Sequence, residues 1–541
     1  MVPAMNRALV LLRLVAVASV TVSLGSGCLQ PAQDYPTPPS LLSAAGAESK
    51  VTLLHFSDYH SHAVPFFAEH SPDQAGIARA VAYAKNLRAT AKNVLVLGGG
   101  DMLNLGTPAW SDKYFKTCTD WTWWNDIVSV MAFGNHDADY GWDAFAACRA
   151  KASYPILSGN LVDAAGNPIL SDGGRPYVVR QVGDVRIGIF ALAGPDFPRL
   201  VKAANLPAGA QFSDGMTAAK KIVATLREQE KVQAVVFIGH QDRETDFAMA
   251  AAVPGIDVIL GTHSHYKGAL QQIPGTTTWF ISPFQYLNYL SQVSLTFRGG
   301  SLLRVEGNLV RMDSAQSADP QLVWEVGRMQ QSLETDPQYA DRFARIGEAA
   351  VELDVEGIDS SESVLGNFAL DVVRTAPSVR AHALFTTASS FRASIPPGPI
   401  RMEDYLTALP YKNRVLTFQL SGAQLQAVLD YSVSKRGSDN FGVSSGVRYR
   451  VGSSGPARDV QVVRDPAAAT PTYEPIVPSA TYTVAATDFV SLVAGGYSDL
   501  FKVATPTDTM AIVNDVIIDY IRKSSPVRGA RDGRVRIADA P

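Results

Sequence analysis

The stretch VTLLHFSDYHSH, residues 51–62, joins an apolar β-like run to the polar pair Asp58 and His60. The same arrangement, an apolar run followed by polar side chains, recurs at Gly100-Asp101, Gly134-Asn135-His136-Asp137, Gly239-His240 and His263-Ser264-His265. Ligand sites of α/β folds collect at strand ends. Nitrogen and oxygen ligands from these ends can therefore surround one pocket, and the pattern predicts a site for two divalent metals.

The residue types and their spacing suit metal coordination. Asp58 and His60 are one residue apart, so a turn can direct a hard oxygen and a borderline nitrogen the same way. Asp101 follows three glycines, which bring the backbone close to a ligand, and its carboxylate can bridge two cations. His263 and His265 can each address a different metal. Taken singly, each motif is more often a surface accident or a core histidine; their order and placement together favour the metal site.

Composition sets broad limits. A chain of 541 residues is too long for a single core and predicts two or three domains. A hydrophobic fraction of 46% and a charged fraction of 18% are ordinary for a globular protein. The formal net charge of -4 gives no basic footprint for a nucleic-acid polymer. Local groups, not a global field, must hold any phosphate-bearing substrate.

The N-terminus predicts export. Arg7 and Arg13 precede an apolar stretch, residues 14–24, and small residues then lead to Cys28. The small residues before Cys28 resemble a bacterial lipobox, although an ordinary cleaved signal or an uncleaved anchor helix remains an alternative. A proline-rich tether follows, and no later stretch has the apolar length of a spanning helix.

Two cysteines remain after export. Cys118 and Cys148 lie on either side of the Asn135-His136 motif in the sequence. An exported protein resides in a compartment that permits disulfides. A bridge between them and a pair of buried free thiols are both compatible with the sequence.

The alternation of strands and helices predicts a layered α/β core in the first half of the chain. The predicted strands are 51–55, 93–97, 128–132, 156–158, 185–191, 234–238, 258–260 and 278–281. Residues 290–297 and 304–310 predict a hairpin that turns at Gly299-Gly300. A charged helical segment, 321–346, then precedes a second α/β unit.

The motifs resemble those of the calcineurin-like metallophosphoesterases, in the exported bacterial branch of 5′-nucleotidases and UDP-sugar hydrolases. The matching segments are FSDYHSH (56–62), GGGDMLN (98–104), FGNHDADYG (133–141), FIGHQD (237–242) and PGIDVILGTHSH (254–265). The resemblance extends from about residue 50 to 501. It implies a four-layer N-terminal metallophosphoesterase domain, a β-sandwich flanked by helices, and a C-terminal α/β substrate-binding domain.

The sequence pattern and the resemblance together predict an order of domains. That order is an export signal with lipobox (1–28), a tether (29–49), the dinuclear domain (50–315), a linker helix (316–348), the 5′-nucleotidase C-terminal domain (349–525) and a mobile tail (526–541).

The ligand sets come from the same resemblance. One metal would take Asp58, His60, Asp101 and His265, and the other Asp101, Asn135, His240 and His263. The cofactors would be two divalent ions such as Zn, Mn, Co or Fe, which activate a hydroxide for in-line attack on phosphorus. His136 would contact the phosphoryl group and Asp139 would orient it. Asn135 would also contact substrate.

The resemblance places substrate recognition in the C-terminal domain. Arg392 matches an arginine that contacts substrate, and Tyr411 and Phe489 match aromatics that stack on a base. The sequence departs from the family before Arg392, where serines replace glycines, and at Tyr497, which follows a Gly-Gly pair in place of an aspartate. Tyr497 is therefore a further candidate for the pocket, although each of these aromatics could instead be a core residue.

These features predict an exported two-metal phosphohydrolase that cleaves nucleotide phosphate esters, such as 5′-monophosphates, UDP-sugars or 2′,3′-cyclic species. The alternatives are an esterase for non-nucleotide phosphate or sulfur esters, and a surface-tethered binding protein without turnover. The expected partner is a small nucleotide or phosphate ester, and the expected location is the periplasm or the cell surface. The chain would contact a membrane only through its N-terminal anchor, as a monomer or dimer.

Overall fold

The computed structural model describes residues 48–452, 455–468 and 470–537. The predicted export signal and nearly all of the tether lie outside these residues. Within the described part of the chain, no helix combines the length and the apolar character needed to cross a bilayer.

The first sheet carries three of the five predicted ligand segments. In order across the sheet, its strands are Gln211–Phe212, Ile156–Val162, Val128–Ala132, Val94–Gly98, Ser49–Phe56, Tyr289–Arg298 and Ser301–Arg311, with Pro168–Leu170 added beside Ile156–Val162. Ser49–Phe56 pairs in parallel with Val94–Gly98 and antiparallel with Tyr289–Arg298. The hairpin at Gly299-Gly300 forms as predicted, and both glycines have positive φ.

The second sheet carries the other two ligand segments. Its strands, in order, are Lys267–Gln272, Trp279–Pro283, Val258–Gly261, Ala234–His240, Val185–Ala193 and Tyr177–Val182. The strands Val185–Ala193, Ala234–His240, Val258–Gly261 and Trp279–Pro283 run parallel to one another. Their carboxyl ends therefore lie at one edge of the sheet, where His240 and His263 emerge.

Both faces of the central strands of each sheet are buried, which explains the unbroken apolar runs in the sequence. Val51 and Leu53 face the core between the two sheets, whereas Leu54 and Phe56 face helices outside the first sheet. The helices in this part of the chain are Ile77–Thr90, Ala109–Tyr114, Thr119–Thr122, Trp142–Lys151, Phe197–Leu200, Gly215–Ala224 and Arg243–Ala252. The predicted four-layer α/β arrangement is confirmed.

A disulfide joins Cys118 to Cys148, with Cα atoms 4.9 Å apart. It connects the segment of Trp121 and Trp124 to helix Trp142–Lys151, and both tryptophans are fully buried. The sequence alone leaves a bridge and two free thiols as alternatives, because it carries no information on this distance.

The predicted linker helix is shorter than expected. Asp319 caps the N-terminus of helix Pro320–Glu334, and its side chain accepts from Gln321 N and Leu322 N. The chain continues through a short helix, Ala340–Phe343. Residues 345–349 then form a strand that pairs with Gly398–Arg401. The boundaries of the predicted domains remain a prediction.

The second half of the described chain is a further α/β unit. Its main sheet contains, in order, Gly442–Ser445, Ala383–Thr387, Thr481–Thr487, Arg414–Ser421 and Thr507–Ile512. A smaller sheet contains Tyr473–Pro475, Arg458–Val463, Val447–Val451 and Val535–Ile537. The helices are Val364–Thr375, Met402–Ala408, Gly422–Ser434, Tyr497–Phe501 and Val513–Ser524. They cover both faces of the main sheet and give it two cores.

The structure differs from the expectation of a mobile tail. Val535–Ile537 pairs in parallel with residues 449–451 of the smaller sheet. Arg534 is buried and pairs with Asp371 at 2.7 Å. The charged composition of this segment resembles a solvated terminus, but the buried guanidinium is neutralised by carboxylates and attaches the segment to the fold.

Candidate metal centre

Five of the predicted ligands lie on loops whose backbone is in the left-handed region. The φ angles are 50° for Asp58, 47° for His60, 53° for Asp101, 63° for His263 and 48° for His265. Residues with a side chain adopt this region rarely, at a cost of order 1–3 kcal/mol each, and such strain clusters at functional sites. The repetition at one site indicates that the fold fixes where these side chains point.

Hydrogen bonds between loops hold the first two segments together. Asp58 N donates to Gly100 O at 3.2 Å, and His60 N donates to Asp101 O at 2.9 Å. Gly100 has a φ of 88°, and a Cβ atom there would lie 2.7 Å from Gly134 N. Only glycine fits where this loop passes the backbone at Gly134. The close approach places Asp101 directly beside Asp58.

Asp58, His60 and His265 form one group that is able to hold a cation. Each offers one ligand atom, and these atoms lie within 4.8 Å of one another. His265 Nε2 is 3.4 Å from Asp58 Oδ1 and 3.1 Å from His60 Nε2. Asp58 and His60 are buried, so the group faces the interior of the site.

Asp101, His240 and His263 form a second such group, again with ligand atoms within 4.8 Å of one another. Asp101 Oδ2 lies 3.3 Å from His240 Nε2 and 3.6 Å from His60 Nε2 of the first group. The same carboxylate oxygen therefore faces both groups, as a bridging ligand must. Burial opposes protonation of His240, but the charge of Asp101 outweighs it and raises the pKa of this histidine.

Backbone carbonyls fix the ring orientation of two histidines. His60 Nδ1 lies 3.1 Å from Leu103 O, and His240 Nδ1 lies 2.7 Å from Gly99 O. A carbonyl oxygen only accepts, so each Nδ1 carries a hydrogen and each Nε2 is the ring atom left to bind a cation. Both Nε2 atoms lie close to Asp101 Oδ2, so a cation beside this carboxylate can reach a ring nitrogen of either histidine.

Asp196 is a residue of the site that the sequence analysis missed. Its Oδ2 lies 2.9 Å from His263 Nε2, which leaves Nδ1 of this histidine as the ligand atom. Burial opposes the charge on His263, but Asp196 outweighs it and raises the histidine pKa well above its usual value. Asp196 follows strand Val185–Ala193, so a carboxylate soon after a buried strand was the available signal.

Two of the predicted ligand atoms are buried without a hydrogen-bond partner among the described residues. They are His240 Nε2 and Asn135 Oδ1. An unpartnered buried polar atom costs free energy, so each such atom calls for an explanation. A bound cation provides one for both atoms, and the mixed nitrogen and oxygen donors suit a first-row divalent metal. The residues present therefore fit the two predicted ions.

Two of the ligands are held neutral, as coordination requires. Burial lowers the pKa of His60 well below its usual value. Burial also lowers the pKa of His265 to about 4, and the nearby charge of Arg392 adds to the effect.

His136 lies beside the metal groups in a different state. Its Nδ1 is 2.7 Å from Asp139 Oδ2, and its backbone N donates to Asp101 Oδ1 at 2.8 Å. Burial lowers the pKa of His136, but Asp139 and Asp101 outweigh it and raise the pKa to about 10. The ring is thus held as a cation next to the groups that would hold the metals.

A cavity of about 310 Å³ opens onto these groups and is lined by both halves of the chain. From the first half come Asp101, Asn135, His136, Asp139, His263 and His265. From the second half come Ser389, Ser390, Arg392, Tyr411, Tyr431 and Phe489. Arg392 donates from one terminal nitrogen to Tyr411 Oη at 2.6 Å. Every predicted site residue lines this cavity except Tyr497 and three buried ligands of the metal groups, Asp58, His60 and His240.

Tyr497 does not face the cavity. It is 1% exposed, packs in the core of the C-terminal unit and donates its hydroxyl to Asn440 O at 3.1 Å. Its ring meets Tyr431 edge to face, 4.7 Å between centroids, and Tyr431 is the tyrosine that lines the cavity. Gly496, with a φ of 81°, precedes helix Tyr497–Phe501, whose first side chain enters the core. No sequence motif marks Tyr431, which lies within helix Gly422–Ser434.

Comparisons with known proteins agree with this arrangement. Residues 51–267 match the model of the calcineurin-like phosphoesterases, and residues 345–503 match that of the 5′-nucleotidase C-terminal domain. A 5′-nucleotidase of Diplobatis ommata is 26% identical over 90% of each chain, and an apyrase of Tabanus yao is 24% identical over 91% of this chain and 94% of its own.

A solved structure shows the same fold. The 5′-nucleotidase precursor from Thermus thermophilus superposes with a TM-score of 0.72 at 26% identity, covering 91% of this chain and 100% of its own. The two matched segments cover most of the described residues. They include both metal groups and the cavity-lining residues from the second half of the chain. The chain belongs to the metal-dependent calcineurin-like phosphoesterases that carry a 5′-nucleotidase C-terminal domain.

Proposed function

We propose that this protein is an exported hydrolase that uses two divalent cations to cleave phosphate esters of nucleotides. One observation carries the proposal: two adjacent ligand groups that face one carboxylate oxygen, Asp101 Oδ2, open onto a cavity that an arginine and aromatic rings also line. A nucleotide needs both in one pocket, because its phosphate calls for cationic groups and its base for aromatic ring faces.

The first cation would be held by Asp58, His60, Asp101 and His265, and the second by Asp101, Asn135, His240 and His263. When bound, such a pair polarises a phosphoryl oxygen and lowers the pKa of a water molecule. Asp196 and the carbonyls of Leu103 and Gly99 hold three of the rings in the ligand tautomer.

His136 supplies a positive charge and a hydrogen-bond donor to the phosphoryl group. Its Nδ1 is occupied by Asp139, so its Nε2–H is free to face the cavity. A preorganised donor of this kind stabilises the charge that develops on the phosphoryl oxygens. Asp139 keeps the ring oriented and protonated.

Arg392, Tyr411 and Phe489 form the recognition wall. The planar guanidinium of Arg392 pairs with two phosphate oxygens at once. Tyr411 and Phe489 offer ring faces for a base. Ser389 and Ser390 bring hydroxyl groups to the same wall. Because these hydroxyls replace the glycines of the family pattern, the sugar would be held by side-chain donors and not by close backbone approach.

Export is supported by two features. The N-terminal sequence has the order of an export signal with a lipobox-like Cys28, and the Cys118–Cys148 bridge belongs in an oxidising compartment. Fractionation of producing cells, with intact-mass analysis of the mature chain, would show signal removal and any acyl group on Cys28. A full-length protein in the cytoplasm with both cysteines reduced would contradict export.

A phosphate-release screen tests the activity. Purified protein is stripped with chelator, reloaded with Mn, Co, Zn or Fe, and offered nucleoside mono-, di- and triphosphates, UDP-sugars, 2′,3′-cyclic nucleotides and simple phosphate esters. We expect metal-dependent release that is fastest with a nucleotide. Release only from simple esters would favour the alternative of a non-nucleotide esterase. Metal binding without release from any substrate would favour a binding protein.

A further inference from the structure

Gln285 occupies a strained turn between strands Trp279–Pro283 and Tyr289–Arg298. It is 4% exposed. Its neighbours Phe284, Tyr286 and Leu287 have φ angles of 70°, 57° and 61°. Three non-glycine residues in the left-handed region carry strain of order 1–3 kcal/mol each, which persists only where the surroundings determine the conformation. The turn therefore fixes the position of Gln285, whose side chain is directed toward the metal groups.

Both ends of the Gln285 amide are engaged. Its Nε2 donates to Arg392 O at 2.8 Å, and its Oε1 contacts His265 Nδ1. A carbonyl oxygen only accepts, so the bond to Arg392 O settles which end of the amide is nitrogen. Oε1 therefore faces the histidine and requires a hydrogen on Nδ1.

This hydrogen sets the ligand form of His265. With Nδ1 protonated, Nε2 keeps its lone pair and faces Asp58 Oδ1 at 3.4 Å. The Arg392 guanidinium also contacts Nδ1. An Nδ1 that donates its hydrogen to Gln285 cannot at the same time accept a hydrogen bond from the guanidinium. Gln285 thus selects the tautomer that ligates. Arg392 Nη1 stays beside the ring, 3.3 Å from His265 Nε2, while Nη2 donates to Tyr411 Oη.

We propose that Gln285 is a positioning residue that couples a metal ligand to the substrate-binding arginine. Gln285 precedes helix Pro320–Glu334 and Arg392 follows it, so the side chain joins the two halves of the site. The proposal rests on the proposed function, since it concerns the same cations and the same substrate. It assigns one function to each end of the amide: Oε1 acts on metal affinity, and Nε2 acts on substrate affinity.

Two substitutions separate these functions. Gln285→Met keeps the length of the side chain and removes both hydrogen bonds. Gln285→Glu keeps an acceptor for His265 but removes the donor to Arg392 O. Gln292→Met is the matched control: Gln292 accepts from Tyr83 Oη at 2.7 Å on the neighbouring strand and touches neither His265 nor Arg392.

The first readout is Mn²⁺ affinity of the stripped full-length protein, measured by titration calorimetry without substrate. Loss of such an orienting partner typically lowers metal affinity by about 10–100-fold, and we expect this for Gln285→Met. Gln285→Glu should restore the affinity to near that of the unaltered chain. The second readout is KM: with Gln285→Glu we expect a raised KM for a nucleoside monophosphate and an unchanged kcat. The control should match the unaltered protein in both.

The outcomes are distinguishable. Equal Mn²⁺ affinity in Gln285→Met and the unaltered chain, or an equally weak affinity in both variants, overturns the role of Oε1. An unchanged KM in Gln285→Glu overturns the coupling to Arg392, and this test stands even if Gln285→Met does not fold. An unaltered chain that binds no Mn²⁺ overturns the proposed function itself.

Discussion

The metal face and the recognition face of the cavity are built by different means. The metal groups stand on turns at the ends of buried strands, with five ligands held at positive φ and the rings held by fixed acceptors. The recognition wall consists of a 3-10 turn, Ala388–Ser390, and a π-helical turn, Phe489–Val493, together with single side chains such as Tyr411. Under the proposed function, we expect the constrained backbone to set the chemistry and the more easily substituted side chains to set the substrate.

The largest expected effect is the loss of the metals, which should affect every substrate equally. Chelation, or Asp101→Ala, should lower turnover by about 10³-fold or more, because the cations supply several kcal/mol of charge stabilisation. Phosphate release and metal content measured on the same sample test this expectation. Full turnover by metal-free protein would contradict it and would also break the comparison between the two faces.

His136→Ala should be the next largest effect. Loss of a positioned proton-carrying group typically costs about 10²–10⁴-fold in turnover. Metal content should stay unchanged, because His136 belongs to neither ligand group. The measurement is kcat together with metal analysis of the purified variant. Asp139→Asn, which keeps a hydrogen-bonding side chain but not the charge, should fall between His136→Ala and the unaltered protein. A variant that loses both metal and activity would show that His136 acts on the metal site instead.

Arg392→Lys should affect the recognition face. A lysine keeps the charge but not the bidentate fork, and a hydrogen bond to a charged group contributes about 1.5–3 kcal/mol, so kcat/KM should fall by roughly 10–100-fold. The comparison of KM and kcat for a nucleotide measures this. An equal rate for both side chains would mean that only the charge of Arg392 is used.

Substitutions of Tyr411 and Tyr497 compare a tyrosine that lines the cavity with one buried in the core of the C-terminal unit. Tyr411→Ala should raise KM for nucleotides by about tenfold or more, since stacking on a base contributes about 1–3 kcal/mol. Simple phosphate esters should be unaffected. Tyr497→Phe should leave KM unchanged and lower stability by about 0.5–1.5 kcal/mol, through the lost hydrogen bond to Asn440 O. Equal KM changes in both variants would place Tyr497 in the pocket after all.

The smallest expected effect on turnover is that of the disulfide. Replacing Cys118 and Cys148 with serine should lower the free energy of unfolding by about 2–4 kcal/mol, with little change in kcat. Denaturant unfolding and a turnover assay below the transition measure the two separately. A large loss of turnover in the folded variant would show that the bridge also positions the His136 loop.

The same contrast explains what the sequence was able to predict. Strand Val128–Ala132 has the bounds that the apolar run indicated, and the ligand segments follow their strands, because burial on both faces and turn chemistry are local properties. Tyr497 and Asp196 depend on which way a short turn directs a side chain across the fold. Tertiary packing sets that direction. Motif position therefore wrongly assigned Tyr497 to the pocket and gave no reason to select Asp196.

The left-handed backbone at the ligand loops has a consequence for metal exchange. The free-energy cost of bringing Asp58, Asp101 and His263 together belongs to folding. Binding of an ion therefore requires no further ordering of these residues. Apoprotein should therefore stay native and reload quickly. Different transition-metal ions should compete according to their intrinsic affinity and their concentration, because each binds the same preformed site.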